Sequence, residues 1–118
     1  PPAKMVAAIE SIVFLLAVNL ALMADHAPGL DRVVVTGGLG GYDGLCRRLA
    51  DLTGFVVDRP AEYEATARGT AFIVAGSPDT WREPDEAKSF APRKDRALAG
   101  RFERFESELA SALATQPQ

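Results

Sequence analysis

The chain has 118 residues, 47% hydrophobic and 25% charged, with a formal net charge of −3. That is one domain with enough apolar material for a core, and its acidic balance leaves no electrostatic footprint for nucleic acid. A single cysteine excludes an internal disulfide, a single histidine beside it excludes a Cys/His structural metal site, and a reducing cytoplasm is the expected compartment.

The opening Pro1-Pro2, in place of a methionine, reads as a mature or trimmed start, and the chain as a piece of something larger. Lys4 to Ala24 is helical in pattern. Ile9, Ile12, Val13, Leu16, Leu20 and Met23 mark one face, while Phe14, Leu15, Val18 and Leu22 fill most of the rest. A helix apolar almost all round is expected to be buried on several sides. The charge-free run from Ser11 to Ala24 is shorter than the roughly 20 residues a bilayer requires. Glu10 is badly placed for a signal peptide. A core helix is therefore expected, and no membrane partner. Ala27-Pro28-Gly29 ends it.

Val33-Val34-Val35 reads as a short, fully buried strand, followed by Thr36 and the glycines Gly37, Gly38, Gly40 and Gly41 in a tight turn. Leu45, Leu49 and Leu52 then fall at i, i+4 and i+7 of an amphipathic helix, with Asp43 as its expected N-cap and Gly54 as its C-terminal stop. Strand, glycine turn and helix N-terminus is an arrangement that can hold an anion or a nucleotide, because backbone N–H groups approach the ligand unobstructed. A strand-to-helix loop that merely needs positive φ gives the same pattern. A dinucleotide fingerprint starting at Gly38 fails at Asp43, and a phosphate-binding loop ending in Gly-Lys-Ser/Thr fails because no lysine lies between Lys4 and Lys88.

Phe55-Val56-Val57-Asp58 reads as a second strand, giving a βαβ unit with parallel pairing and a right-handed crossover. Ala61 to Ala75 reads as a helix with Ala65, Phe72 and Ile73 apolar, stopped by Gly76-Ser77-Pro78; Gly69 within it suggests close packing or ligand approach. Ser77 to Asp95 lacks periodicity and reads as a surface loop pinned by Trp81 and Phe90, with a short turn near Asp85-Glu86. A final helix from about Arg93 to Ala114 carries Leu98, Phe102, Phe105 and Leu109 on its stripe, with Arg101, Glu103, Arg104 and Glu106 outside it.

Among residues that carry chemistry elsewhere, His26 and Cys46 form a nucleophile-and-base pair only on paper; a satisfied histidine and a core cysteine are preferred. Asp51 is expected to bond locally or to a neighbouring loop, Glu64 to be buried or to cap its helix, and Arg47-Arg48 to be solvated rather than to attract phosphate. No catalytic residue is assigned.

Three segments occur in series: Val33-Val34-Val35-Thr36-Gly37-Gly38, then Leu49-Ala50-Asp51-Leu52-Thr53-Gly54 with Val57 and Arg59-Pro60, then Glu64-Ala65-Thr66-Ala67-Arg68-Gly69-Thr70-Ala71. Together they resemble the C-terminal domain of the FGGY family of carbohydrate kinases, which includes glycerol, xylulose, ribulose and gluconate kinases. The likeness extends from about Met5 to Leu109, through Glu10-Ser11-Ile12 and Arg101-Phe102-Glu103-Arg104-Phe105. The chain departs from the family pattern at Gly40, Gly41, Tyr42, Asp43 and Arg47, where small polar residues, asparagine or glutamine are common.

The resemblance implies an α/β fold: a partial actin-like ATPase (ribonuclease H-like) domain with parallel strands and packed helices. Residues 1–118 would be part of the nucleotide-binding C-terminal domain. It implies ATP or ADP as a partner, with Gly37 and Gly38 meeting the nucleotide through backbone and Leu39 and Tyr42 beside base or ribose. Tyr42 as a surface residue covering the helix start is the alternative. It also implies a sugar or polyol substrate bound by a preceding domain, with the catalytic aspartate and the acidic residues near Mg²⁺ lying there. The fragment alone would then be inactive. The competing reading is a non-catalytic α/β interaction module that forms a homo-oligomer through an exposed apolar face.

Overall fold

A computed structural model of the chain describes residues 1–61, 64–82 and 86–117. The first helix, α1, spans Pro2–His26. Strand β1 (Arg32–Val34) leads through a 3₁₀ turn, Gly38–Gly41, into α2 (Asp43–Thr53). Then come β2 (Val56–Pro60), α3 (Ala65–Val74), β3 (Glu86–Phe90) and α4 (Arg96–Ala114).

The three strands form one sheet in the order β1-β2-β3. β1 runs parallel to β2, pairing Arg32 with Val56, Val33 with Val57 and Val34 with Asp58, so the expected βαβ unit is present. β3 runs antiparallel to β2, pairing Val57 with Phe90, Asp58 with Ser89 and Arg59 with Lys88, with an irregularity at Arg59/Pro60. That strand lies where a surface loop was expected. Glu86-Ala87-Lys88-Ser89-Phe90 has neither β-branched residues nor clean alternation, and it is held as a strand by the edge that β2 offers. The turn expected near Asp85-Glu86 falls partly outside the described residues, as do Glu62 and Tyr63 in the stretch expected to begin α3.

The core lies between the α1–α2 pair and the strands β2 and β3. Val13, Leu45, Cys46, Leu49, Ala50, Val57 and Phe90 are buried there, with Ile9, Ile12, Leu20, Val35 and Leu52 packed around them. The stripe read for α2 is thus the one that faces inward. α4 folds back on α1: the Phe14 ring sits 5.5 Å from Phe102 and 5.3 Å from Phe105, in the tilted geometry that aromatic pairs prefer.

Three buried carboxylates tie the elements together. Glu10 on α1 accepts from Arg48 on α2 (3.3 Å) and from Arg101 on α4 (2.8 and 2.7 Å). Asp58 on the central strand accepts from Arg32 on β1 and Ser89 on β3 and so links all three strands. Asp51 accepts from Arg47 on its own helix (3.1 Å) and from the Arg93 backbone (2.9 Å) and guanidinium (3.1 Å). Asp51 therefore bonds both locally and to a neighbouring loop, as its position suggested. Arg47 and Arg48, expected to be solvated, are half-buried structural partners, and Arg101 leaves the wet face of α4 to reach Glu10.

Several expectations are overturned by exposure. β1 is an edge strand rather than a fully buried one, with Val34 61% exposed. α1 buries one side only, through Glu10, Val13, Phe14 and Ala17, while Met5, Leu15, Leu22 and Met23 are exposed. It is also the one helix among the described residues that is long and apolar enough to cross a membrane by length and composition. α3 buries no residue; Ile73 is exposed, and Phe72 packs edge-on against Trp81 at 5.5 Å. A Cβ at Gly69 would meet nothing within 4 Å, so close packing does not explain that glycine.

Helix ends follow backbone chemistry. Gly54 closes α2 in the left-handed conformation, φ 78°, with its N–H on the Ala50 carbonyl. Gly76 (φ 83°) and Ser77 (φ 53°) end α3. Asp95 caps α4 by accepting from the Leu98 N–H at 2.9 Å.

Candidate nucleotide-facing turn

The stretch between β1 and α2 is built by backbone. Gly37 has φ 91° and ψ 174°, a conformation that only glycine adopts without strain. It reverses the chain out of the strand, and its carbonyl accepts from the Gly40 N–H at 2.9 Å to open the 3₁₀ turn. The Tyr42 N–H closes that turn on the Leu39 carbonyl at 3.2 Å. The first N–H groups of a 3₁₀ segment have no partner within it, so those of Gly38 and Leu39 are available at its open end. A Cβ on Gly38 would meet nothing within 4 Å, whereas one on Gly40 would touch Val35 at 3.4 Å. One side of the turn is thus packed on the strand and the other is open.

All four residues singled out from the sequence share this turn. Gly37 sets its shape and Gly38 leaves its face clear. Leu39 and Tyr42 stand out from it, 50% and 56% exposed, as apolar and aromatic surface not used by the core. Leu39, Thr36 and Gly40 also line one end of an apolar groove of about 390 Å³ between α1 and β1, with Ile12, Leu16 and Val34 along its walls.

Asp43 is not the N-cap that the sequence suggested. Tyr42 holds that position with no side-chain cap bond, and Asp43 is the first helical residue. Its carboxylate instead meets Lys88 and Arg59, both at 2.6 Å, and these two bonds hold its pKa below the usual carboxylate range. Arg59 also donates to the Gly40 and Gly41 carbonyls, each at 3.3 Å. Sequence reading missed Arg59 as a partner of the turn's carbonyls and Lys88 as a partner of Asp43. Arg59 was visible only as half of an Arg-Pro pair after a strand, and Lys88 lay in what read as a loop.

The remaining candidates are structural. The Cys46 thiol is buried, donates to the Gly40 carbonyl at 3.6 Å, and burial pushes its pKa up, which leaves it a poor nucleophile. His26 Nδ1 lies 2.9 Å from the Leu22 carbonyl of its own helix. Glu64 is exposed at the N-cap of α3 and makes no side-chain cap bond, contrary to the buried or capping role expected. Among the described residues no group of three or more His, Cys, Asp or Glu could hold a metal ion.

Comparison with known proteins matches this geometry to a class. The chain superposes on a ligand-bound xylulose kinase from Lactobacillus acidophilus with a TM-score of 0.65, over 92% of this chain and 24% of that one, at 16% sequence identity. The fold is therefore α/β of the actin-like ATPase type, with a small sheet and packed helices. The sequence model for the C-terminal domain of the FGGY family of carbohydrate kinases matches residues 1–77. The chain belongs to that family. Glycerol kinase from Halothermothrix orenii is 33% identical over 81 residues, which cover 68% of this chain and 16% of the relative. Glycerol kinase from Verminephrobacter eiseniae is 38% identical over 106 residues, covering 79% and 20%. The chain therefore spans no more than about a fifth of the length of these curated relatives.

Proposed function

We propose that residues 1–118 are part of the nucleotide-binding C-terminal domain of an ATP-dependent carbohydrate or polyol kinase, working in the cytoplasm. The observation that carries this reading is the turn itself. A glycine-only bend at Gly37 is followed by an unobstructed Gly38 between a parallel strand and a helix N-terminus, in a chain of the FGGY family. The glycerol kinase relatives support a small polyol or sugar as the acceptor.

Gly37 and Gly38 bring backbone N–H groups to the nucleotide, and Leu39 and Tyr42 form the apolar wall against its base or ribose. ATP supplies the γ-phosphoryl group, whose transfer depends on positioning and charge neutralisation. No residue of this chain is given a catalytic role. The base that takes the acceptor's proton and the groups that carry Mg²⁺ are assigned to the remainder of the kinase, so the chain by itself is expected to bind nucleotide without phosphorylating anything.

The test is Gly38→Val in the full-length kinase that carries this domain. The branched side chain projects into open space, so the thermal midpoint should stay within about 2 °C while ATP affinity falls at least about tenfold. Unchanged ATP affinity sinks the assignment.

A second reading rests on a separate observation. The outer face of α1 and the β1 edge are apolar and exposed, which is the surface a non-catalytic module would use to pair with another copy of itself. A concentration-dependent oligomer without nucleotide affinity supports that reading; a nucleotide-binding protein opposes it.

A further inference from the structure

We infer that Arg59 is the positioning residue that sets the shape of the glycine turn, and that nucleotide affinity depends on it although it lies on the packed side of that turn. This rests on the nucleotide reading of the turn. The Arg59 side chain is only 14% exposed and comes from the central strand β2, the most constrained strand of the sheet. From there one guanidinium nitrogen reaches the Gly40 and Gly41 carbonyls at 3.3 Å and the Asp43 carboxylate at 2.6 Å. Its three acceptors are the last two residues of the 3₁₀ turn and the first residue of α2.

A run of glycines has no side chains to fix its path and would otherwise sample many conformers. Holding the two C-terminal carbonyls inward on a cation has a geometric consequence. In a 3₁₀ segment all the carbonyls point toward its C-terminal end and all the N–H groups toward the opposite end. Fixing the carbonyls of Gly40 and Gly41 on Arg59 therefore fixes the direction in which the N–H groups of Gly38 and Leu39 point. The Cys46 thiol adds a weaker bond to the same Gly40 carbonyl. Lys88 donates to Asp43 and lies over the Phe90 ring, and among the described residues it makes no bond to the turn's carbonyls. Arg59 thus joins the sheet, the turn and the helix start, and presents a preformed cradle that a nucleotide need not organise on arrival.

The full-length kinase is used, with ADP binding measured by titration calorimetry and amide hydrogen exchange followed over residues 37–42. Arg59→Ala should weaken ADP binding about tenfold or more, the scale expected on releasing charge-assisted hydrogen bonds, and should speed exchange in the turn. Arg59→Lys keeps the charge but loses the planar fork, and should recover part of the affinity. Lys88→Ala should bind ADP within about twofold of the parent, because it leaves the carbonyl bonds in place. ADP affinity within about twofold in both Arg59 variants overturns the inference. So does an equal loss in Lys88→Ala, which would mean that general positive charge is what matters. If Arg59→Ala does not fold, Arg59→Lys alone decides by the same two readouts. Gly38→Val run in parallel separates the failures. If it abolishes ADP binding while the Arg59 variants do not, only the role of Arg59 falls; if neither matters, the nucleotide reading falls.

Discussion

Gly37 and Gly38 are neighbours in sequence but do different work. Gly37 sits at φ 91° and ψ 174°, so Gly37→Ala is expected to cost about 1–3 kcal/mol in unfolding free energy as backbone strain. Gly38 has neither positive φ nor a close neighbour, so Gly38→Ala should leave denaturant midpoints unchanged and act only through the ligand. Chemical denaturation of the two variants checks the contrast. The sequence revealed that glycines clustered here and that the cluster needed unusual backbone; it did not reveal which glycine carried the bend. Nor did it reveal Arg59 as the turn's anchor or Arg101 as a partner of Glu10. Ion pairs between residues far apart in sequence exist only once the elements are packed, and a charged residue on a helix reads as wet until its partner arrives.

At the scale of elements, α1 is fastened by Glu10, whose carboxylate lies between Arg48 and Arg101. Removing it in Glu10→Ala leaves two partly exposed guanidinium groups without their shared acceptor. The expected loss is about 2–3 kcal/mol in a denaturation experiment. Leu49→Ala, at a position 1% exposed, should cost about 3 kcal/mol through the cavity it leaves. The α2 stripe, the α4 stripe and the parallel pair were legible because a periodicity of 3.6 marks a helix and its inward face, and short β-branched runs mark strands. β3 was not legible, since Glu86-Ala87-Lys88-Ser89-Phe90 becomes a strand through the pairing of Arg59 with Lys88 and Val57 with Phe90 rather than through its own composition. The apolar run of α1 was read as burial on several sides, but apolar pattern reports which surface would gain from being covered, not what covers it. The same holds for α3, whose Ile73 and Val74 lie exposed.

At the scale of the whole molecule, three carboxylates with buried side chains contribute to the acid stability. Asp58 is held below its usual pKa by Ser89 and Arg32. Glu10 is held low by Arg101, against burial, with help from Arg48. Asp51 is pushed up by burial but pulled further down by Arg93 and Arg47. Groups with depressed folded pKa values contribute stability that is fully present above their unfolded values near 4 and is lost as the pH falls through the folded ones. Thermal midpoints should therefore be flat from pH 7 to about pH 5 as far as these groups decide it, and then fall steeply below about pH 4. The Asp58→Asn variant should start lower and fall less steeply, with calorimetry across that range as the check. Membership of the FGGY family was legible as three motifs in series; the partners of those motifs were not.

The most direct measurement is hydrogen–deuterium exchange of the full-length protein that carries this domain, with and without saturating ADP, read by mass spectrometry over residues 33–46, 65–74 and 96–114. The expected result is protection centred on Gly37 to Tyr42, with α3 and the exposed face of α4 unchanged. ADP binding that leaves Gly37 to Tyr42 unprotected, while slowing exchange elsewhere, would contradict the nucleotide role of this turn.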